Sequence, residues 1–549
     1  MIRLSLLAFL GLSHFATATC QSCTFDQIVP SQSLVWCPCY SDFFCARLDV
    51  PLDYQNVDLG RASVPLVKLP AQANSSFGAY QGMILLNPGG PGASGVELAL
   101  GNASTVQALV GTNWDVVGFD PRGIYLSEPV ANCSYDVPAI NTSSIQTRSV
   151  PRLSDDYFIN QIQYNMELGE RCAVLAGGEL DAGPHMSTAT TARDMLSIVD
   201  AFAETEDGKS SSKPSGLLNY YGVSYGTFLG QTFASMFPAR VGNVVLDGVV
   251  NPESFLANFT GDSITHIDGI IAAFFIYCHE AGPSECSFYS GSSAHDIYER
   301  FNQSFAQLVP RVAKAQGWSN ATDLESALLQ LKIGLLTAAN HPIEYFSLMP
   351  EILLGLESAI AAQDLAPWIK LAISYFGDAN TSVYPEWSFG VLCSDQDNKW
   401  YNKTLEDVKP LIEQLEKESI IGELWDHSLL GCLGWSVKAT EIFTGPFGGD
   451  TATPILFVSN TYDAVTPIEN SFSSAPNYKD AQVLVIDGMG HTVSAAQNYC
   501  GYAKIAAYFQ SNALPGDDYF CALEQGPFGI ILNGTLAESI EQAALSDLH

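Results

Sequence analysis

The chain has 549 residues, of which 47% are apolar and 15% charged, and its formal net charge is −34 at pH 7. This composition is typical of a folded globular protein with a large core, and it excludes disordered and collagen-like chains. The excess of acidic residues argues against a nucleic-acid partner, because a phosphate-binding face needs clustered Lys and Arg.

The N-terminal residues have the three-part pattern of a secretory signal. Arg3 is followed by the apolar run LSLLAFLGL, and the small residues Ala16 and Ala18 come after it. Residues 1–18 are therefore predicted to be a signal peptide, and the mature protein is predicted to be secreted and extracellular. No later apolar run approaches the ~20 residues that span a bilayer, so we expect no membrane partner.

Cysteines and sequons are consistent with export. The chain has 13 cysteines, which suggests disulfides with one thiol left unpaired or paired outside the chain. Ten Asn-x-Ser/Thr sequons are possible glycan sites. They are Asn74, Asn102, Asn132, Asn141, Asn258, Asn302, Asn320, Asn380, Asn402 and Asn533.

A cysteine-dense segment is followed by short apolar runs that alternate with glycine turns and helical patterns. The apolar runs predict strands at 82–87, 114–120, 217–223 and 241–250. The segment TTARDMLSIVDAF has the apolar spacing of a helix, and SYGTFLGQTFASMF is predicted to be another. Strands separated by helices predict a parallel sheet built from βαβ units.

The pattern changes to mostly helical from about residue 251 to residue 444. The strand pattern then returns at 453–460 and 481–488. This arrangement predicts one α/β sheet interrupted by a helical insertion that folds over it. We therefore expect a core formed by 19–250 and 445–549, with a cysteine-containing C-terminal module, and a helical cap at 251–444.

The pentapeptide Gly222-Val223-Ser224-Tyr225-Gly226 fits the pattern G-x-S-x-G. The pattern alone is a weak signal in a chain with 45 glycines. Its context strengthens it, because it follows a predicted strand and opens a predicted helix, the setting of a nucleophilic serine on a sharp turn. The flanking glycines leave space for a strained backbone and close helix packing. Ser224 is therefore predicted to be the nucleophile.

A serine hydroxyl needs a base within hydrogen-bond reach, and the base needs an orienting carboxylate. In chains with this type of turn, the order is Ser, then Asp or Glu, then His. Asp463 follows the strand TPILFV, and His491 follows the strand AQVLVI on a glycine-containing turn. We predict Asp463 as the acid and His491 as the base. Asp247 is the alternative acid, although packing or capping is its expected role.

A tetrahedral intermediate also needs N–H donors for its oxyanion. The backbone N–H of Tyr225 is one predicted donor, and that of Gly90 in the loop NPGGPG is the other. A phosphate-binding loop is the weaker interpretation of these glycines, because no Lys-Ser/Thr follows and the spacing is not that of a dinucleotide fingerprint.

Two further motifs are interpreted as structural. The run Asp120-Pro121-Arg122-Gly123 is predicted to be a turn with an internal ion pair that braces the active-site rim. Cys393 has no nearby base, which favours a disulfide over a cysteine nucleophile. No metal-ligand spacing appears in the chain, and we predict neither a metal nor a cofactor.

These motifs together resemble the secreted tripeptidyl aminopeptidase-like branch of the α/β-hydrolase fold, which is related to prolyl aminopeptidases. The resemblance spans nearly all of the mature chain and includes the C-terminal run from Cys500 to Cys521. The sharp turn at Ser224 is called the elbow below, and the helix after it the elbow helix. The resemblance rests on NPGGPGASG (87–95), DPRG (120–123), the elbow with its helix and following strand (220–252), CSD (393–395) with CLGW (432–435), TPILFVSNTYDAVTP (453–467) and GMGHTV (488–493).

The resemblance implies an α/β fold with a mostly parallel central sheet, helices on both faces and a helical cap that limits access to peptide N-termini. It implies Ser224, Asp463 and His491 as nucleophile, acid and base, and a bond between Cys500 and Cys521. One departure follows Gly123, where this chain has Ile-Tyr-Leu-Ser and the family has Thr-Gly before the Ser.

The sequence therefore predicts a secreted serine hydrolase, specifically an aminopeptidase that releases short peptides or residues from peptide N-termini. An esterase or lactonase acting on a small secondary metabolite is one alternative, and an inactive hydrolase fold that serves as a binding protein is another. An aminopeptidase needs an anionic group for the substrate ammonium. The cap carboxylates available for this are Glu280, Glu285, Glu351, Glu357 and Glu386, each of which is expected to be a solvated charge.

Overall fold

The computed structural model describes residues 22–133, 153–258, 263–308, 321–377, 386–425 and 427–546. The predicted signal peptide at 1–18 lies outside the described residues, as do Cys20 and the sequons at Asn141, Asn320 and Asn380.

A sheet of ten strands forms the centre of the described chain, in the order β1-β2-β3-β5-β4-β6-β7-β8-β9-β10. The strands are β1 (Cys37–Cys39), β2 (Phe43–Pro51), β3 (Arg61–Leu69), β4 (Gly82–Asn87), β5 (Trp114–Phe119), β6 (Leu218–Val223), β7 (Val241–Asp247), β8 (Leu456–Tyr462), β9 (Gln482–Met489) and β10 (Phe520–Cys521). Every pairing from β5 through β4 to β10 is parallel. The pairings β1–β2, β2–β3 and β3–β5 are antiparallel.

All six strands predicted from the apolar runs are present. They are buried on both faces, which explains why they are nearly continuous apolar segments. In β4, Met83 and Leu85 pack on one face of the sheet, while Ile84 and Leu86 pack on the other. This alternation follows from the two-residue repeat of a strand.

The helices between the early strands are α1 (Gly95–Val110), α2 (Asp155–Leu175), α3 (Thr188–Ala203), α4 (Glu206–Ser210) and α5 (Tyr225–Met236). The insertion contains α6 (Pro252–Asn258), α7 (Ile267–Glu285), α8 (Ala294–Gln307), α9 (Ala321–Asn340), α10 (Pro342–Tyr345), α11 (Met349–Ala362), α12 (Ala366–Phe376), α13 (Glu386–Asp395), α14 (Leu405–Glu418), α15 (Gly422–Trp425) and α16 (His427–Gly434). The C-terminal part adds α17 (Glu469–Ser474), α18 (Thr492–Ala496), α19 (Tyr499–Ser511) and α20 (Leu536–Gln542).

Helices cover both faces of the sheet. Val96 of α1 and Ile505 of α19 pack on the face of Ile84, while Ile198 of α3 and Phe228 of α5 pack on the face of Leu85. This layering and the mostly parallel sheet are consistent with the predicted α/β-hydrolase fold class.

The insertion lies between β7 and β8, and every described element in it is a helix. Most of its apolar side chains form a separate buried cluster, in which Phe275, Phe301 and Leu356 are almost fully buried. Helix α13 is different, because its Phe389 and Leu392 belong to the cluster on the sheet. Helix α13 thus packs as part of the core, and Phe255 of α6 belongs to the same cluster.

Six disulfides join the twelve cysteines that the structure describes: Cys23–Cys37, Cys39–Cys45, Cys133–Cys172, Cys278–Cys286, Cys393–Cys432 and Cys500–Cys521. The last of these is the bond that the family resemblance implied, and Cys393 is a disulfide half as expected. None of the described helices has the length and apolar character needed to cross a bilayer.

Candidate active site

Ser224 lies on the sharp turn between β6 and α5. Its backbone has φ 57° and ψ −127°, a conformation that is strained for a residue with a side chain. The turn is held by a hydrogen bond from Ser224 N to Asp247 O at 3.0 Å. A Cβ at Gly226 would lie 2.8 Å from Asn87 O, so the close packing of this turn requires glycine there. The G-x-S-x-G pattern therefore reflects real steric constraints.

Asp463 and His491 follow the neighbouring strands β8 and β9 and are in direct contact. His491 Nδ1 lies 2.9 Å from Asp463 Oδ1 and 3.0 Å from Oδ2. The carboxylate is fully buried and also accepts hydrogen bonds from the backbone N–H groups of Val465, Thr466 and Thr492, at 2.9 to 3.0 Å. Because these donors fix Asp463 in place, the imidazole that it contacts has one defined orientation.

The charges of this pair shift both pKa values. Burial alone would lower the pKa of His491, but the charge and hydrogen bond of Asp463, with the charge of Asp247, raise it above the ordinary value of 6.5. Burial alone would raise the pKa of Asp463, but His491 and the backbone N–H donors hold it below 3.8. His491 is therefore a stronger base than a free histidine, and its partner stays ionised.

Ser224 and His491 line the same cavity, which has a volume of about 330 Å³. Gly90 and Tyr225, the predicted oxyanion donors, also line it. The structure thus brings four of the five predicted site residues to one cavity, and the fifth, Asp463, contacts His491 from behind.

The insertion supplies the apolar wall of the cavity. The apolar side chains that it contributes are Phe255, Ile333, Leu336, Phe376, Leu392, Leu424 and Trp425. Ser263, Thr337 and Asn340 add polar groups. The side of the cavity that the insertion forms is therefore mostly apolar.

None of the five cap carboxylates considered from the sequence is among the described residues of this cavity. Glu357 instead forms a salt bridge with Arg300, with 2.6 Å between Nη2 and Oε2, and Glu351 accepts a hydrogen bond from Tyr375 at 3.3 Å. Glu280 and Glu285 are exposed. The exposure of Glu280 and Glu285 agrees with the solvated role expected for them, whereas Glu357 is paired with Arg300.

The alternative acid, Asp247, has other partners. It accepts hydrogen bonds from the Tyr221 hydroxyl at 2.8 Å and from Val493 N at 3.1 Å. Burial raises the pKa of Asp247 to about 7, although these hydrogen bonds act in the opposite direction. Asp247 therefore supports the loop after His491, and Asp463 is the carboxylate that contacts the imidazole.

The loop that carries Gly90 lies directly against the nucleophile turn. A Cβ at Gly89, which has φ +90°, would be 2.5 Å from Val223 O and 2.9 Å from Tyr225 N. Asn87 Oδ1 accepts a hydrogen bond from Gly89 N at 3.0 Å and stabilises the loop. The glycines of the loop thus allow its backbone to approach Tyr225, as an oxyanion site requires.

The prediction of an ion pair within the turn, between Asp120 and Arg122, is wrong. Arg122 instead forms a salt bridge with Asp194 on α3, with Nε to Oδ2 at 2.7 Å, and also donates to Leu52 O. Asp120 accepts from the backbone N–H of Val96 at 3.1 Å. Both side chains are buried, so each takes the partner that the tertiary structure brings to it rather than its neighbour in sequence.

Two further contacts of His491 were not predicted. Thr466 Oγ1 lies 3.2 Å from His491 Nδ1, and Asn340 O accepts a hydrogen bond from His491 N at 2.8 Å. Thr466 lies three residues after Asp463 in the segment DAVTP, so its closeness in sequence could have indicated that it also lies near His491. Asn340 lies in the insertion, and no sequence pattern connects it with His491.

Comparisons with known proteins agree with the α/β fold described above. A family model described as "alpha/beta hydrolase fold" matches residues 82–263, and one described as "TAP-like protein" matches residues 418–521. The chain is 25% identical over 520 residues to "Serine protease Hip1" of Mycobacterium tuberculosis strain H37Rv, covering 89% of this chain and 91% of the relative.

Two other relatives are named as an aminopeptidase and as an esterase. The chain is 34% identical over 210 residues to "Tripeptidyl aminopeptidase" of Streptomyces lividans, covering 38% of this chain and 35% of the relative. It is 27% identical over 486 residues to "Carboxylesterase B" of Mycobacterium tuberculosis strain CDC 1551, covering 87% of this chain and 86% of the relative.

Proposed function

Because the chain belongs to the α/β-hydrolase fold family and to its TAP-like branch, we propose that it is a secreted serine peptidase with the triad Ser224, Asp463 and His491. Its proposed activity is that of an aminopeptidase which releases short peptides or residues from peptide N-termini. The relatives named as a serine protease and a tripeptidyl aminopeptidase support the peptidase class.

In the proposed reaction, Ser224 Oγ attacks the carbonyl carbon of the scissile bond while His491 accepts the hydroxyl proton. His491 then donates this proton to the leaving amine, and an acyl-enzyme remains. Water attacks the acyl-enzyme with His491 again as base, which releases the acid and restores Ser224. The N–H groups of Gly90 and Tyr225 stabilise the oxyanion in both steps.

One observation carries the proposal: the imidazole that is hydrogen-bonded to Asp463 lines the same cavity as Ser224. Asp463 supports the roles assigned to His491 because it stabilises the imidazolium and fixes the tautomer that accepts a proton at Nε2. The raised pKa of His491 also strengthens it as a general base.

Secretion is supported by the disulfides and by the sequons. Six disulfides are typical of proteins from oxidising compartments. Six sequon asparagines with described side chains are exposed: Asn74, Asn102, Asn132, Asn302, Asn402 and Asn533. N-terminal sequencing of protein from the culture medium is expected to show a chain that starts after Ala18. A chain that retains Met1 would contradict the signal peptide.

The activity is tested with aminoacyl and tripeptidyl chromogenic amides, and with mass spectrometry of the products from a defined peptide library. Ser224→Ala is expected to abolish both turnover and labelling by a fluorophosphonate probe. Ser235→Ala is the matched control, because Ser235 lies on the same elbow helix and its hydroxyl donates to Gln231 O at 2.8 Å. A wild-type protein that the probe does not label would instead favour the inactive binding protein.

An esterase or lactonase is the second candidate. The apolar wall of the cavity and the relative named as a carboxylesterase favour it. The same triad would hydrolyse an ester, whose alkoxide leaving group departs more readily than an amine. Parallel assays with acyl esters and peptide amides separate the two candidates, since turnover of esters alone would exclude the peptidase.

A further inference from the structure

Helix α13 belongs to the insertion in sequence but packs against the catalytic core. Its buried Phe389 and Leu392 lie in the same apolar cluster as Tyr225 and Phe228 of the elbow helix. The disulfide between Cys393 and Cys432 ties it to α16. The helix is thus fixed beside the turn that carries Ser224. Polar groups at its two ends form hydrogen bonds with neighbouring segments.

The N-terminal end of α13 contacts the glycine loop. Trp387 Nε1 donates a hydrogen bond to Gly92 O at 2.8 Å. The next residue, Ser388, is fully buried and lies so close to Gly92 that a Cβ at that glycine would overlap its hydroxyl. Gly92 is two residues from Gly90, so Trp387 holds the loop that carries the first proposed oxyanion donor.

The C-terminal end of α13 contacts the residue that carries the second donor. Asp395 accepts two hydrogen bonds from Thr188, from its N–H at 2.8 Å and from its hydroxyl at 2.6 Å. The Thr188 hydroxyl in turn accepts a hydrogen bond from the Tyr225 hydroxyl. All three side chains are buried. This chain of hydrogen bonds fixes the side chain of Tyr225, next to Ser224.

We propose that α13 positions both oxyanion donors, with Trp387 acting through Gly92 on Gly90 and with Asp395 acting through Thr188 on Tyr225. This inference rests on the proposed function, since it assigns a role to the oxyanion site of that reaction. Trp387, Thr188 and Asp395 are positioning residues. They hold the two N–H groups at the spacing that an oxyanion needs, and small displacements of such donors lower the rate of acyl transfer.

The first test is Trp387→Phe, which keeps the aromatic ring and removes the N–H. We expect kcat to fall about tenfold with KM changed less than twofold, because the donors act on the transition state rather than on bound substrate. The affinity for a peptide boronic acid, whose adduct carries an oxyanion, is expected to fall in parallel with kcat. The affinity for the product peptide is expected to stay unchanged.

Trp368→Phe is the matched control. Trp368 Nε1 donates to Ile352 O at 2.8 Å, so the substitution removes an indole hydrogen bond of equal length to a backbone carbonyl elsewhere in the insertion. Its kcat is expected to stay within twofold of the wild type. Equal losses of kcat in both variants would overturn the proposal, because a general loss of packing would then explain them.

The second test does not depend on the stability of the Trp387 variant. Thr188→Val removes the hydroxyl between Asp395 and Tyr225, whereas Thr188→Ser retains it. We expect Thr188→Val to lower kcat and the boronic-acid affinity about tenfold, and Thr188→Ser to restore most of both.

The outcomes of the two proposals are distinguishable. An active wild type and inactive Ser224→Ala, together with unchanged kcat in both Trp387→Phe and Thr188→Val, would overturn only the positioning role of α13. A wild type that neither turns over substrate nor reacts with a fluorophosphonate would overturn the proposed function, and the inference with it.

Discussion

His491 takes its properties from groups that lie far away in the sequence. Asp463 supplies negative charge, Asp247 adds to it when ionised, and Thr466 contacts the same ring nitrogen as Asp463. The imidazole is only 17% exposed, so water screens these interactions weakly. The basicity and orientation of His491 thus depend on its buried partners.

Asp463→Asn tests this dependence. We expect kcat to fall by about 10⁴-fold, because an amide favours the wrong imidazole tautomer and cannot stabilise imidazolium. Wild-type kcat/KM is expected to rise with pH through an apparent pKa above 6.5, since His491 must be neutral to accept a proton. Removing the carboxylate lowers the pKa of His491, so the acidic limb of the variant moves to lower pH.

The control for this variant is Asp487→Asn. Asp487 lies on β9 and accepts a hydrogen bond from Thr461 at 3.1 Å, away from the imidazole. Its pH profile is expected to match that of the wild type. An acidic limb at the same pH in Asp463→Asn and wild type would show that Asp463 does not set the basicity of His491.

At the level of elements, two close contacts are expected to matter most. The contact of the glycine loop with the elbow affects activity, and the contact between helices of the insertion affects stability. The loop after β4 reaches the N-terminus of α5 only because Gly89 has no side chain. Within the insertion, α9 and α15 meet at a buried ion pair of Lys332 and Glu423, whose side chains are 3% and 2% exposed.

Gly89→Ala is expected to reduce kcat/KM about 100-fold. The new methyl group would collide with Val223 O and Tyr225 N, and a φ of +90° is strained for alanine. Gly101→Ala is the control, because Gly101 lies in α1 and an added Cβ would meet no other part of the described protein within 4 Å. It is expected to retain activity and to gain about 0.5–1 kcal/mol of stability. Full activity in Gly89→Ala would contradict the close approach.

Lys332→Met is expected to destabilise the protein by about 3–5 kcal/mol, because it leaves the Glu423 carboxylate buried without its counter-charge. The double variant with Glu423→Leu is expected to recover most of this loss, since the desolvation cost of both charges is removed. Urea denaturation followed by circular dichroism measures both changes. A double variant less stable than Lys332→Met would show that the ion pair is not the source of the effect.

At the scale of the whole molecule, acidity is the dominant property. The formal net charge is −34, and several carboxyls are buried in the core rather than solvated. Burial raises the pKa of Asp120 to about 6 and those of Asp247 and Asp395 to about 7. Folding therefore favours protonation of these three groups, whose ordinary pKa is 3.8.

The protein is accordingly expected to be more stable at pH 5 than at pH 7.5, with a higher Tm at pH 5. Between about pH 4 and pH 7, the folded state binds protons on these carboxyls that the unfolded state releases, so stability falls as pH rises. His491 acts in the same direction, because its pKa is raised on folding and its contribution is lost at higher pH. Asp463 acts in the opposite direction, but its contribution is lost only as pH falls through its lowered pKa, below 3.8.

Differential scanning fluorimetry across this pH range measures the change. Asp247→Asn removes one of the three groups and is expected to reduce the difference in Tm between pH 5 and pH 7.5. A Tm that is equal or higher at pH 7.5 would contradict the expectation.

Much of the fold could be predicted because its signals are local. The runs around Ile84, Val116 and Val458 are apolar on both faces and could only be central strands. The antiparallel strands β2 and β3 were missed, since Arg47 and Lys68 interrupt their apolar pattern. Both charges are buried with distant partners: Arg47 donates to Phe25 O, and Lys68 forms salt bridges with Asp115 and Asp207.

The sequence by itself determined which residues are candidates for the proposed chemistry: a serine between glycines after a strand, then an aspartate and a histidine after two later strands. Parallel strands bring their carboxyl ends to one edge, so order along the chain predicted that Asp463 and His491 lie close together. Only the tertiary structure decided which buried groups pair. Arg122 takes Asp194, and Asp395 reaches Tyr225 through Thr188. The physical reason is that a buried polar group must find a partner wherever packing provides one, and packing is set by the whole chain rather than by neighbouring residues.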